Sequence, residues 1–136
     1  MADVSLTAAN VTWVGGVPPQ TVIAGETITE GMPVYRLSSD NEHYKCDADT
    51  DAASEFAGIA LSNGVNGRPL VIAPPGAIIN VGATLASGTI YVISTTAGGV
   101  APDTDLTTGD YVNVLYIGNG GVNHEVIGKK GTAVHA

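Results

Sequence analysis

Seven residues bounded by glycine, Gly-Glu-Thr-Ile-Thr-Glu-Gly at Gly25–Gly31, return as Gly-Ala-Thr-Leu-Ala-Ser-Gly at Gly82–Gly88, 57 positions later. Both fit G-x-T-[I/L]-x-x-G. "VYRLSS" then matches "IYVIST" at an offset of 56, and "GIALSNG" (Gly58–Gly64) matches "VLYIGNG" (Val114–Gly120), again at 56. Glycine tolerates backbone angles that other residues avoid, so the pattern describes a tight corner between strands. A chain holding this corner twice is constrained to two similar strand-turn-strand units. The period is too long, and the copies too few, for a stacked solenoid. The expectation is a pseudo-symmetric pair of small β-units sharing one core.

The rest of the chain agrees with strands and turns. Glycine is plentiful, at 18 of 136 residues, against a usual ~7%, and it separates short apolar runs as in proteins with many turns. "MPVYRLSS", "HYKCDA" and "EFAGIALSNG" read as strands, and "LVIAPPGAIINVG" reads as two strands split by Pro74-Pro75. No stretch repeats apolar residues at i, i+3, i+4, i+7, so little helix is expected. The fold class is all-β: a small β-barrel or β-sandwich with an internally duplicated unit. Residues 1–20 read as an extended N-terminal arm ending in a Gly15-Gly16, Pro18-Pro19 hinge. Residues 21–128 form one β domain, with pseudo-repeats at about 22–73 and 79–120, and residues 129–136 form a flexible tail.

Charge narrows the function classes. The net charge is −8, with five Lys plus Arg in the chain, and charged residues make up only 13%. Phosphate backbones need clustered cations, and Lys129-Lys130 is the only adjacent basic pair. Neither nucleic acid nor an anionic membrane surface is an expected partner. No apolar run reaches the ~18–20 residues of a membrane helix, and "MADVSLTAAN" lacks the form of a secretory signal. A charge-poor surface suits a protein that is packed against others.

Catalytic signals are sparse. The strongest candidate is "DADTDAASE" (Asp47–Glu55), where Asp47, Asp49 and Asp51 imitate the opening of a calcium loop. Ala52 then stands where that loop needs Gly, and Gly58 where it needs Glu, so the stretch reads as an acidic, solvated turn. Cys46, the one cysteine, reads as a small buried hydrophobe, and His43 lies on the opposite strand face. "GNGG" and "NGVNG" open no helix and read as turns. No cofactor, metal or catalytic residue is expected, and the chain is not read as an enzyme. A hydrolase built on the Asp47–Glu55 acids is the remote alternative.

The stretch "AGETITEGMPVYRLSSDNEHYKCDADTDAASEFAGIALSNGVNGRPLVIA" resembles the capsid cement or decoration proteins of tailed bacteriophages. It has a G-E-x-[I/L]-x-x-G-x-P-V-Y corner before a strand, then a K-A-D-A-like stretch and an A-G-I-A-L strand. The resemblance covers about residues 20–118. It departs at Asp40-Asn41, where a D-G turn is usual and where Asn can adopt left-handed φ. It implies a small β-rich virion protein on the capsid exterior, made in the host cytoplasm, that clamps neighbouring major capsid protein subunits and self-associates. A homotrimer is preferred, with a dimer as the alternative. Trp13, the only tryptophan, lies in the expected arm, and the capsid-binding residues expected there are Val4, Leu6, Val11, Trp13 and Val14. A receptor- or carbohydrate-binding module of a phage tail or fibre is the second reading.

Overall fold

The computed structural model describes residues 4–50, 52–106 and 109–134. It is all-β. Twelve strands form three antiparallel sheets, and three 3-10 turns are the only helical elements among the described residues. The strands are β1 (Thr12–Gly16), β2 (Gln20–Ile23), β3 (Pro33–Arg36), β4 (His43–Lys45), β5 (Phe56–Ala60), β6 (Pro69–Ala73), β7 (Ala77–Asn80), β8 (Ile90–Ile93), β9 (Val100–Pro102), β10 (Tyr111–Ile117), β11 (Asn123–Glu125) and β12 (Lys129–Val134).

The first block is a five-stranded sheet in the order β2-β6-β5-β3-β4. Its two edges meet, because Ala24 bridges His43 and the Gly25 amide donates to the His43 carbonyl at 2.8 Å. This curled sheet encloses a small core of Ala24, Ile28, Val34, Ala60, Leu70 and Ile72. A larger core lies on the other side of β5 and β6. There Ile59 and Ala73 join Ile79, Val81, Leu85, Tyr91, Ile93, Leu115 and Tyr116. The central strands are therefore buried on both faces, which explains why "FAGIA" and "PLVIA" are nearly continuous apolar runs. Each fully buried aliphatic side chain here stabilises the fold by roughly 1.5–3 kcal/mol.

The second block follows the pairing of the first. Its four-stranded sheet runs β12-β10-β8-β9, beside β6-β5-β3-β4 in the first. The corners match, with one bond shifted by a residue in the second. Ile28 exchanges backbone hydrogen bonds with Gly64, and Leu85 receives from Gly120 and donates to Gly121. The hairpin turns match as well: Leu37 donates to Glu42 and Ser94 donates to Gly99. Asn41 (φ 60°) and Gly98 (φ 78°) hold the left-handed position in each turn, so Asn41 meets the angle expected of it. The blocks differ where β6 pairs with both β2 and β5. In the second block that work is divided between β11, on β7, and β12, on β10, with Gly128 (φ 64°) between them.

Two expectations are corrected. The N-terminal segment is no extended arm over its described residues. β1 pairs with β7, the Val4 amide donates to the Val100 carbonyl at 2.8 Å, and the Thr7 amide donates to Gly82 at 2.8 Å. Val11 is 1% exposed. Its Cγ2 packs so closely on the two corners that a Cβ would lie 3.3 Å away if placed on Gly31 and 3.0 Å away if placed on Gly82. The 22-residue span Val4–Gly25 carries no charge. The tail is the second correction: Lys129–Val134 forms a strand on β10, while residues 135–136 lie outside the described residues.

Candidate docking surface

The five N-terminal residues expected to touch a partner separate into two groups. Val11 is buried, and Val4 and Leu6 are half-buried, lining a groove with Glu30, Met32 and Val100. Burial removes Val11 as a free contact, while Val4 and Leu6 keep part of their surface in that groove. Trp13 and Val14 remain exposed, at 42% and 50%. β1 is the outer strand of the sheet β1-β7-β11, and its register shifts between Trp13 and Gly15, a bulge that leaves Val14 without a directly opposed partner. The Trp13 indole N–H donates to the Val17 carbonyl at 3.0 Å. That bond satisfies the ring's one polar atom and leaves its hydrocarbon face outward. Val17 is exposed too, and so is Ile78, which stands opposite Gly15. Trp13 stands opposite the buried Ile79, so Ile78, the next residue of β7, leaves that strand on the other face.

The charge map explains why this patch stands out, and it is the signal that the residue-by-residue reading missed. No Asp, Glu, Lys or Arg occurs in residues 4–25, 69–102 or 111–124, whereas eight of the thirteen acids fall between Glu26 and Glu55. Of the nine large hydrophobic residues exposed among the described residues, eight lie in those charge-free spans; Val65 is the exception. Acidic charge is therefore concentrated between Glu26 and Glu55, and the exposed large hydrophobics lie almost wholly outside that stretch. Monomeric proteins rarely leave a contiguous apolar surface uncovered without a partner to take it up.

The acidic stretch behaves as turn chemistry. Asp47 Oδ1 accepts the Asp49 amide at 2.9 Å, and Thr50 Oγ1 accepts the Ala53 amide at 3.3 Å. Burial and the neighbouring Asp47 push the Asp49 carboxyl up. Asp51 lies outside the described residues. Among the described residues no three His, Cys, Asp or Glu side chains gather as a metal site.

Cys46 is fully buried, and burial pushes its thiol well above the ordinary range, so it stays protonated. His43 and His124 are also buried, each with an unpartnered Nδ1. Burial lowers the pKa of both. His124 Nε2 accepts the Asn119 amide at 3.3 Å, and its ring lies 6.0 Å from Tyr116. Tyr91 and Tyr116 belong to the core, while Tyr44 donates to Asp40 at 2.7 Å, which raises the phenol to about 12.

No protein-family model matches the sequence, and no curated protein matches it.

Proposed function

We propose that this chain is a structural virion protein, a capsid cement or decoration protein that binds the outside of a phage head and stabilises contacts between major capsid subunits. The observation that carries the reading is the uncharged outer strand β1 with Trp13 and Val14 exposed on it and Val17 exposed just beyond its end. Clamping a shell requires burial of protein surface, typically ~800 Å² per partner, and no bond-making chemistry. An aromatic anchor ringed by smaller apolar groups is the composition of a binding hot spot. The acid-rich first block would face the medium, where its negative charge opposes non-specific association. Self-association into a closed oligomer, trimer or dimer, belongs to the same proposal.

Exposed Trp13 also favours a second reading, a carbohydrate- or receptor-binding module of a tail or fibre, because sugars stack on exposed aromatic rings. Co-sedimentation with empty phage heads separates the two. A decoration protein pellets with heads, and Trp13→Asp abolishes pelleting while the folded state persists. Wild-type protein that stays in the supernatant, yet gives specific hits on a glycan array, overturns the capsid reading in favour of the second.

A further inference from the structure

Strand pairing fixes the offset between the two hairpins at 57 positions: Val34 opposes Lys45 where Tyr91 opposes Pro102, and Arg36 opposes His43 where Ile93 opposes Val100. At that offset Asn41, at the tip of the first hairpin, corresponds to Gly98 at the tip of the second. The two tips differ in their surroundings. The second is seated on the first block. The Gly98 amide donates to the Cys46 carbonyl at 2.9 Å, the Ala48 amide donates to the Ser94 carbonyl at 3.0 Å, and Gly98 is buried. A Cβ on Gly98 would lie 2.8 Å from Met32 Sδ and 3.0 Å from Lys45 Cδ, so these two long side chains pack against a bare glycine. By contrast Ser38, Ser39, Asp40 and Asn41 of the first tip are all exposed. The place in the second block that corresponds to the seat is an open cleft. Met32, Lys45 and Cys46 correspond to Thr89, Pro102 and Asp103, and all three line a cleft of about 410 Å³. Thr89 and Pro102 are shorter than Met32 and Lys45, so this seat has room for a side chain that the other lacks.

We infer that this cleft receives the first hairpin tip of a second copy of the chain, with Asn41 in the place that Gly98 holds on the first block. The internal contact identifies the occupant. A seat of this design takes a hairpin tip of this repeat, the second tip is already used within its own chain, and the first tip is the one left outward. Sizes change in step: Met32 and Lys45 stand against glycine, and the smaller Thr89 and Pro102 would stand against asparagine, which keeps the packing dense. Charge agrees. Arg36 donates to Asn41 Oδ1 and brings a cation to the tip, while Asp103 places a carboxylate in the cleft. The Asn41 carboxamide carries two N–H donors suited to that carboxylate. Asp40 corresponds to Ala97, which stays exposed beside the filled seat, so the Asp40 carboxylate remains in water. Within the chain the contact runs one way, second tip on first seat. Repeated between copies it is head-to-tail, and it closes into a ring. The inference rests on the self-association in the reading above and gives it a surface. It uses neither β1 nor Trp13.

Sedimentation equilibrium of the purified full chain tests it, with Asn41→Gly, Thr89→Met and the two combined. Asn41→Gly sits at an exposed position of positive φ, where glycine keeps the turn. The expected wild type is a discrete oligomer. Asn41→Gly underfills the cleft and Thr89→Met obstructs it, so each weakens association about tenfold, with unaltered circular dichroism. The double variant rebuilds the methionine-against-glycine pairing of the first block and associates more tightly than Thr89→Met alone. Residues in contact couple in this way, whereas independent ones add. A wild-type monomer up to about 100 μM, an oligomer indifferent to both single variants, or a double variant weakened by the full product of the two overturns the contact. Pelleting with empty heads is scored separately. An Asn41→Gly monomer that still pellets leaves the decoration reading standing. An oligomer with the coupled response that ignores heads supports the contact and removes that reading. Thr89→Met protein that keeps its oligomer but loses heads puts the shell in the cleft and overturns the contact.

Discussion

The Val4 amide donates to the Val100 carbonyl at 2.8 Å, at the place where Gly25 donates to His43 in the first block. One block closes its seam with its own corner, and the other closes it with the N-terminal segment. That segment is accordingly part of the fold. Val11→Ala, which removes two methyl groups between the corners, is expected to cost about 2 kcal/mol in denaturant unfolding. Deletion of residues 1–16 strips the cover from β7 and costs more. A truncated chain that melts at the temperature of the full one contradicts this account of the segment.

His43 and His124 give stability a pH dependence with a definite sign. Burial lowers both pKa values below the ordinary 6.5, so below that pH the unfolded chain binds protons that the folded chain refuses. Stability is complete above pH 6.5 and falls as the pH drops toward the folded values, by at most about 1.4 kcal/mol per pH unit for each histidine. Thermal melts between pH 7.5 and 5 measure it. His124→Gln reduces the slope, and a melting temperature flat across that window contradicts the assignment.

Cys46 is expected to be inert in the native state. It has no access to solvent, and its thiol is held protonated by burial, whereas thiolate is the reactive form. A thiol reagent should label it only at the rate of unfolding, with full labelling in denaturant. Rapid stoichiometric labelling of folded protein would contradict the buried placement.

Glycines of similar appearance in the sequence differ in what they tolerate. A Cβ on Gly118 would collide with the Ala86 carbonyl, whereas one on Gly15 meets nothing within 4 Å, and neither residue has positive φ. Gly118→Ala should therefore destabilise by roughly 1–3 kcal/mol through overpacking, while Gly15→Ala should be neutral or stabilising by up to about 1 kcal/mol. Equal effects at the two sites would contradict the close approach of β10 to the second corner.

The strands of the first block were legible because their signals are local. Pro74-Pro75 separates β6 from β7, the alternation in "HYKCDA" places His43 and Cys46 on opposite sides, and the glycine corners recur at a fixed offset. The N-terminal segment was not legible as part of the body. Its partners, Gly82, Val100 and β7, lie more than sixty positions away, and "GGVPPQ" carries a strong hinge signal of its own. β12 was missed for a related reason: "KKGTAV" has no alternation, and its place on β10 comes from tertiary pairing. Trp13 and Val14 were found by residue type. The exposure of Val17 and Ile78 comes from the fold, which composition does not encode, although the charge-free spans that hold them were present in the sequence throughout.

Trp13 is the chain's only tryptophan and sits at the centre of the proposed shell contact, so its fluorescence reports on that surface alone. Titrated with empty heads under conditions where the protein pellets with them, its emission should shift to the blue and become shielded from a soluble quencher. Protein that binds heads with Trp13 emission and quenching unchanged would show that the shell is gripped elsewhere, and the docking surface described above would be wrong.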